Sequence, residues 1–321
     1  MQAEALAPKG PAPSMKLQVT HHTHYDYATA VETAQHMVCL QPQKSACQDI
    51  SQHRLLIEPA PHQLNEERDV FGNMRTFFSY QTPHTSLDVT AVSQLETQAP
   101  KLVPADAGLM SWNAVQSQFK YKAHQPFDEA VEFVFPSPFV ERHEDFAQYA
   151  CPSFPLEAPL LKCLRDLSHR IHQDFEYASQ STEINTPARE ALTMRKGVCQ
   201  DFAHIMLACL RTLGLPARYV SGYLVTRPPP GQDKLVGSDA SHAWVSVYLP
   251  DLPGEPSGRW YDLDPTNDHD GWGTPAEDYV RLAVGRDYGD ISPIRGVIHG
   301  GANHSLQVGV TVEPWQSEAL A

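Results

Sequence analysis

Three residues in the second half of the chain have the types and the order that acyl transfer through a thiol requires. Cys199 opens an apolar stretch with helical spacing, His242 begins a stretch typical of a β-strand, and Asp264 ends a further strand-like stretch. In such chemistry a thiolate attacks a carbonyl carbon, an imidazole moves the proton, and a carboxylate orients the imidazole. The three residues therefore predict a nucleophile, a general base and acid, and an orienting group.

The helix that begins at Cys199 gives its two cysteines different expected roles. At a helix start, unpaired N–H groups and the positive end of the helix dipole stabilise a thiolate and lower a cysteine pKa below its usual value of about 8.5. Cys209 lies on the apolar face, where we expect a buried and unreactive thiol. That face is formed by residues at helical spacing: Phe202, Ile205, Met206, Cys209, Leu210 and Leu213.

The partner of the thiol depends on how two predicted strands pair. If residues 242–249 and 259–264 form an antiparallel pair, Asp264 approaches His242, fixes its tautomer and stabilises the imidazolium. Asp262 lies two residues earlier in the same stretch. It would share a face with Asp264, which makes it the second candidate for the orienting carboxylate.

Four further side chains are weaker candidates for the substrate pocket. Gln200 is a possible oxyanion donor, although the backbone N–H of Cys199 suits that role better. Trp244 could form the wall of an acyl channel, but an aromatic residue on a strand more often belongs to the core. Tyr223 and Tyr177 are possible hydrogen-bond donors near the site.

The elements that must position these residues predict an α+β protein with two main parts. Alternating apolar residues and turn signals indicate an all-β N-terminal domain over 16–98, ending before Pro100 and Pro104. Later, predicted helices precede several strands, which favours α+β over repeated βαβ units. The predicted organisation is a flexible leader (1–15), the β-rich domain (16–98), a connecting region with at most short helices (99–157), a catalytic core (158–314) and a tail (315–321).

Composition excludes several classes of function. The chain has 24 basic and 38 acidic residues, a net charge of −14, and no basic stretch, which disfavours binding to nucleic acid or anionic membranes. No apolar run approaches the roughly 18 residues of a membrane span. Six cysteines without a CxxC pair indicate neither a disulfide framework nor a zinc site. These features predict a cytoplasmic protein with reduced thiols.

The sequence predicts neither a cofactor nor a metal site. His21, His22 and His24 suggest a metal-binding protein, but only the last two share a face of their predicted strand, and no distal ligand motif matches them. Residues 262–290 hold eight acidic side chains without the spacing of a calcium-binding loop. We interpret this segment as a solvated acidic rim, which would favour a cationic acceptor beside the site.

The motifs around the three chemical residues resemble a known family. The stretches GVCQDFAHIMLACLRTLGLPARYVSGYL, SHAWVSVYLP and WYDLDPTND are similar to the core motifs of the transglutaminase-like superfamily. KLQVTHHTHYDY and RDVFGNMRTFF are similar to the N-terminal β region of bacterial transglutaminase-like proteins, and the likeness extends to Pro314. The resemblance implies a papain-like fold, in which a helix carrying the cysteine packs on an antiparallel sheet. It also implies Cys199 as nucleophile, His242 as base and acid, and Asp264 as orienting residue.

The resemblance and the residues together predict acyl transfer through a Cys thioester. The expected substrate is a protein or peptide with a carboxamide or peptide bond. Attack by an amine acceptor would give transamidation, and attack by water would give amidase or peptidase activity. The alternative is a catalytically silent member of the family that binds proteins, although a binding module has no need to keep all three residues.

Overall fold

The described part of the chain contains two large antiparallel sheets, one small parallel pair of strands, five α-helices and four short 3₁₀ helices. The computed structural model describes residues 14–124, 126–178, 181–225 and 241–315. Of the predicted leader, residues 14 and 15 already belong to the first strand, and 1–13 lie outside the described residues. Of the predicted tail, 316–321 also lie outside them.

The first sheet is organised around one very long strand, β1. The first half of β1 pairs with β5 on one side and β14 on the other, and its second half pairs with β4 and β13. The sequence alternation predicted this sheet correctly, since every second side chain of β5 from Leu87 to Leu95 is buried. Its strands are β1 (Ser14–Gln41), β2 (Gln48–Glu58), β3 (Gln63–Arg68), β4 (Met74–Tyr80) and β5 (His84–Gln98), joined later by two C-terminal strands.

The second sheet carries residues of the predicted site. Its order is β11-β10-β9-β8-β12, and all its pairings are antiparallel. A separate parallel pair of two-residue strands, β6 and β7, lies just before the cysteine helix. The bounds are β6 (Glu176–Tyr177), β7 (Lys196–Gly197), β8 (Ala217–Leu224), β9 (Ser241–Tyr248), β10 (Trp260–Asp264), β11 (His269–Trp272) and β12 (Tyr279–Gly285).

The helices surround one central helix, α5, which packs on β8 and β9. Every residue of α5 from Asp201 to Arg211 is buried, so this helix runs through the core with little of its surface in water. The region 99–157 contains two short helices and a 3₁₀ turn at Glu129–Val134. The helices are α1 (Trp112–Gln118), α2 (Glu144–Ala150), α3 (Leu160–Asp174), α4 (Ala188–Met194) and α5 (Cys199–Thr212).

The C-terminal strands differ from the predicted organisation. β13 (Ile294–Gly300) and β14 (His304–Pro314) pair with β1 of the first sheet, not with the strands of the second. The range 158–314 therefore extends too far as a single core, because its last strands complete the N-terminal sheet. Alternation identified 304–314 as a strand, but alternation does not identify a strand's partner.

The predicted α+β class is confirmed, with an all-β N-terminal region and a core that combines helices with an antiparallel sheet. Within the described residues, no helix combines the length and apolar character needed to cross a membrane. All six cysteines are described, and all six are free thiols.

Candidate active site

Cys199 is the first residue of α5, as its sequence position predicted. The turn before it is held by Asp201, whose Oδ2 accepts hydrogen bonds from the Val198 backbone N–H (2.8 Å) and from the Thr182 hydroxyl (2.7 Å). Gly197 is needed for this turn, because a Cβ there would lie 2.6 Å from Asp201 Oδ2. Cys199 is partly exposed and belongs to the first turn of α5, where backbone N–H groups have no partner within the helix.

His242 and Asp264 meet because β9 and β10 form the predicted antiparallel pair. The imidazole Nε2 lies 2.7 Å from Asp264 Oδ2, and both side chains are buried. Asp264 ends β10, so its carboxylate also accepts the Thr266 backbone N–H at Oδ1 (2.9 Å). The geometry is that of a carboxylate that fixes the orientation of an imidazole.

Two residues that the sequence reasoning missed complete the surroundings of Asp264. The Tyr279 hydroxyl and the Asn267 side-chain amide each donate to Oδ2 at 2.7 Å. Asn267 follows Asp264 in the D-P-T-N stretch and could have been considered from that proximity. Tyr279 is the first residue of β12 and offered no local signal, because β12 lies at the far edge of the sheet.

This environment sets the protonation of the pair. Burial alone would lower the pKa of His242, but the Asp264 carboxylate and the Cys199 thiol act against burial and raise that pKa well above 6.5. Burial alone would raise the pKa of Asp264, but His242, Tyr279 and Asn267 lower it. The favoured state is an imidazolium beside a carboxylate.

The thiol of Cys199 completes the arrangement from the helix side. It lies close enough to the His242 ring to raise the pKa of the imidazole, and its sulfur lies 4.0 Å from the Ser241 carbonyl oxygen. Because Nε2 faces Asp264, Nδ1 is the ring nitrogen available to the sulfur. The structure thus brings the three sequence-predicted residues into one contiguous chain of contacts.

Trp244 is a support for His242 and not the wall of an open channel. Its ring is fully buried and lies nearly parallel to the imidazole, with ring centres 6.2 Å apart. Its Nε1 donates to Asp262 Oδ2 at 3.2 Å. Asp262, the second candidate for the orienting carboxylate, shares the face of β10 with Asp264 but is bound by Arg281 and Trp244, so it does not contact His242.

The remaining pocket candidates lie in different places. The Gln200 amide donates to the Ile184 carbonyl oxygen at 2.9 Å, which holds this side chain on the neighbouring loop. Tyr177 is half-exposed and lies in the β6–β7 pair opposite Gly197, two residues before Cys199 in the chain. Burial and, to a smaller degree, Cys199 raise its pKa. The expectation for Tyr223 is wrong: its buried hydroxyl pairs with His21 Nδ1 of β1 at 2.9 Å, away from the triad contacts.

Cys209 lies in the interior, as the sequence predicted. It is fully buried on α5, and burial raises the pKa of its thiol far above the usual value. The two cysteines of α5 therefore differ in exposure, since Cys199 is partly exposed and Cys209 is buried.

The interpretation of residues 262–290 as a solvated acidic rim is wrong. Asp262, Asp264 and Asp287 are fully buried. Asp270 binds Arg165, and Asp268 binds His169 at 2.7 Å. Six of the eight acidic side chains are therefore buried or paired with a basic side chain of the protein.

The histidines near the N-terminus also have other partners. His22 and His24 both contact Asp88, at 3.0 and 2.8 Å, whereas His21 faces Tyr223. Within the described ranges, no group of three or more His, Cys, Asp or Glu side chains is arranged to hold a metal ion.

Comparison with known families gives the same assignment as the motifs and the fold. The family described as "Bacterial transglutaminase-like N-terminal region" matches residues 17–96, and the "Transglutaminase-like superfamily" matches residues 156–265. An uncharacterized protein of Mycobacterium tuberculosis is 40% identical over 308 residues, which cover 95% of each chain. The chain belongs to the transglutaminase-like superfamily.

Two further proteins show the breadth of this likeness. A solved structure from Cytophaga hutchinsonii, assigned as a cysteine protease, has a TM-score of 0.72 at 20% identity and covers 96% of this chain and 93% of its own. The TM-score and the coverage show a shared fold. A protein-glutamine gamma-glutamyltransferase of Pseudomonas aeruginosa is 37% identical over 73 residues, which cover 22% of this chain and 10% of that protein.

Proposed function

We propose that this protein catalyses acyl transfer on amide bonds through a thioester at Cys199. The observation that carries the proposal is the buried His242–Asp264 pair, 2.7 Å apart, next to a partly exposed thiol at the start of α5. A protonated imidazole beside the sulfur favours the thiolate, which is the nucleophilic form.

The proposed reaction has two stages. The Cys199 thiolate attacks a carboxamide or peptide carbonyl, and the backbone N–H groups of the first turn of α5 stabilise the oxyanion. His242 protonates the leaving ammonia or amine as the C–N bond breaks, which leaves a thioester. His242 then takes a proton from the second nucleophile as it attacks the thioester, and the thiolate is released.

The identity of the second nucleophile distinguishes two outcomes of the same site. An amine gives transamidation, and water gives hydrolysis. The proposed acyl donor is a protein or peptide. We expect it to contact Tyr177, whose half-exposed side chain lies opposite Gly197 in the β6–β7 pair. The free cysteines are consistent with the proposed cytoplasmic location.

The test compares the wild-type protein with Cys199→Ala on a glutamine-bearing peptide library, with and without a primary amine, using mass spectrometry of the products. We expect amine adducts, or deamidated or cleaved peptides, from the wild type alone. Alkylation by iodoacetamide near neutral pH should modify Cys199 before Cys209, with exposed Cys151 as the reference thiol. Identical inertness of both proteins, with no preference for Cys199 over Cys151, would identify a silent, protein-binding member of the superfamily.

A further inference from the structure

A second concave site lies between the two sheets, apart from the triad. It is a cavity of about 1000 Å³. Its walls come from β2, β3 and the β1–β2 and β3–β4 loops of the first sheet, and from β8, β10, β11 and β12 of the second. Neither Cys199, His242 nor Asp264 lines it. Its size is that of a site for a small molecule.

The charge of this cavity is opposite to that of the whole chain. The protein carries a net charge of −14, yet the cavity is lined by five Lys or Arg side chains and one carboxylate, that of Glu66. Two of the five, Lys44 and Arg281, are paired with Asp49 and Asp262, which leaves three cations without a carboxylate partner among the described residues. A concave surface with one sign of charge concentrates ions of the other sign. The cations are Lys44, Arg68, Lys101, Arg218 and Arg281.

Arg218 is the cation whose situation most needs an additional partner. Its guanidinium carbon lies over the Trp260 ring, 4.1 Å from the ring centre. In the part of the chain that the structure describes, its buried Nε has no hydrogen-bond partner, and no carboxylate lies within ion-pair distance of its guanidinium. Burial and, to a smaller degree, the charge of Arg281 lower the pKa of Arg218 to about 9, against the opposing effect of the Asp262 carboxylate. Asp262 is itself bound to Arg281, so the charge of Arg218 is only partly compensated, and a bound anion would stabilise it.

The neighbouring cations are already fixed in position. Lys101 Nζ lies over the Trp272 ring, 5.0 Å from the ring centre. Arg281 is held by Asp262 and by the Gly273 carbonyl oxygen at 3.2 Å. Side chains that are ordered before binding lose little entropy when a ligand arrives.

We propose that this cavity binds a small multivalent anion that carries phosphate or carboxylate groups, with Arg218 and Lys101 as principal contacts. The planar fork of a guanidinium matches two oxygens of either group, and the lysine ammonium supplies a further point charge. Glu66, at the β3 side of the cavity, would exclude ligands from that wall and direct the anion towards the second sheet.

Isothermal titration calorimetry with the full-length protein tests this proposal. Pyrophosphate and citrate serve as separate probes, so the two arms distinguish phosphate from carboxylate recognition. The variants are Arg218→Gln and Lys101→Gln. Lys101 is exposed, so its substitution leaves the fold intact even if Arg218→Gln does not fold. Arg189→Gln is the matched control, because Arg189 binds Asp145 at the surface and does not line the cavity.

We expect wild type and Arg189→Gln to bind at least one probe with a Kd below about 1 mM, and Lys101→Gln and Arg218→Gln to weaken that binding by about tenfold or more. Higher salt should also weaken it. Absence of heat from both probes at 10 mM, about ten times that limit, would overturn the proposal. Unchanged binding to Lys101→Gln, or equal weakening in Arg189→Gln, would overturn it too.

Discussion

The triad region and the cationic cavity handle buried charge in opposite ways, although one strand, β10, serves both. At the triad, Asp264 receives hydrogen bonds from His242, Tyr279 and Asn267, so every charge has a partner. At the cavity, the guanidinium of Arg218 lies over the face of Trp260, and its Nε has no hydrogen-bond partner among the described residues. A region with complete pairing is organised to keep one protonation state, whereas a region with surplus charge is organised to receive a counterion.

Asp262 is the residue that separates the two regions. Arg281 on the cavity side and Trp244 on the triad side both donate to its Oδ2. Trp244 in turn lies against the His242 ring. Asp262 and Asp264 are two residues apart on the same face of β10, and their partners alone give them different roles.

The largest expected effect is on catalysis and comes from substitution of Asp264. Asp264→Asn should lower kcat/KM by about 10²–10⁴-fold, because an amide can hold the wrong imidazole tautomer and does not stabilise the imidazolium. Loss of the carboxylate also lowers the pKa of His242, so the alkaline limb of the pH–rate profile should move to lower pH. Asp262→Asn is the matched control and should change kcat/KM by less than about tenfold. Similar losses from both variants would contradict the assignment of the orienting role to Asp264.

Asp262→Asn should have a large effect on the free energy of unfolding, although its expected effect on kcat/KM is small. Asp262→Asn leaves Arg281 buried without its anion, and we expect a loss of about 3–5 kcal/mol in the free energy of unfolding. Urea denaturation measures this loss. If the double variant Asp262→Asn with Arg281→Met regains the lost free energy of unfolding, the unpaired Arg281 cation is the cause of the loss. A loss below about 1 kcal/mol in the single variant would contradict the pairing.

The pH dependence of stability should separate the triad from the other buried histidines. Burial lowers the pKa of His204 to about 3 and that of His21 to about 4, with smaller contributions from Arg211 and His22. The unfolded chain binds protons at these residues below its usual pKa of 6.5, and the folded chain does not. Stability should therefore fall as pH falls from 6.5 towards 4, by about 1–2 kcal/mol per histidine at pH 5.

The triad should behave in the opposite direction. The raised pKa of His242 gives a contribution that is complete below 6.5 and is lost as pH rises through the folded value. For the buried histidines, urea denaturation at several pH values between 5 and 7 gives the free energy of unfolding as a function of pH. His21→Gln should reduce the slope of this dependence. An unchanged slope in that variant would contradict the neutral, buried state of His21.

The smallest expected effect concerns the surplus charge of the cavity. Arg218→Gln should keep the free energy of unfolding within about 1 kcal/mol of wild type, because relief of the buried charge offsets the lost contact with Trp260. Thermal denaturation without added anion measures it. A loss of several kcal/mol would mean that Arg218 has a structural partner and that the contrast between the two regions is overstated.

Residue types and spacing were sufficient for the family, the fold class and the positions of Cys199, His242 and Asp264 on a helix start, a strand start and a strand end. Local patterns could not show contacts that depend on distant strands. Tyr279 reaches Asp264 only because both strands belong to one sheet, and Tyr223 turns to His21 because the two sheets meet there. The acidic segment was misread for the same reason, since burial of Asp262 and Asp287 depends on partners elsewhere in the chain.

The pairing of β1 with β14 has a consequence for the order in which the two sheets form during synthesis. Leu17 lies opposite Pro314, so β1 leaves the ribosome long before its neighbour on that side exists. The second sheet and α5, which lie between them in the chain, can assemble first, because their strands follow one another more closely. The first sheet is then completed late, by the pairing of strands that are far apart in the sequence. Such long-range pairing is slow. Until it occurs, the edge of β1 is exposed and a second chain could pair with it, while the site that contains the reactive thiol has already formed.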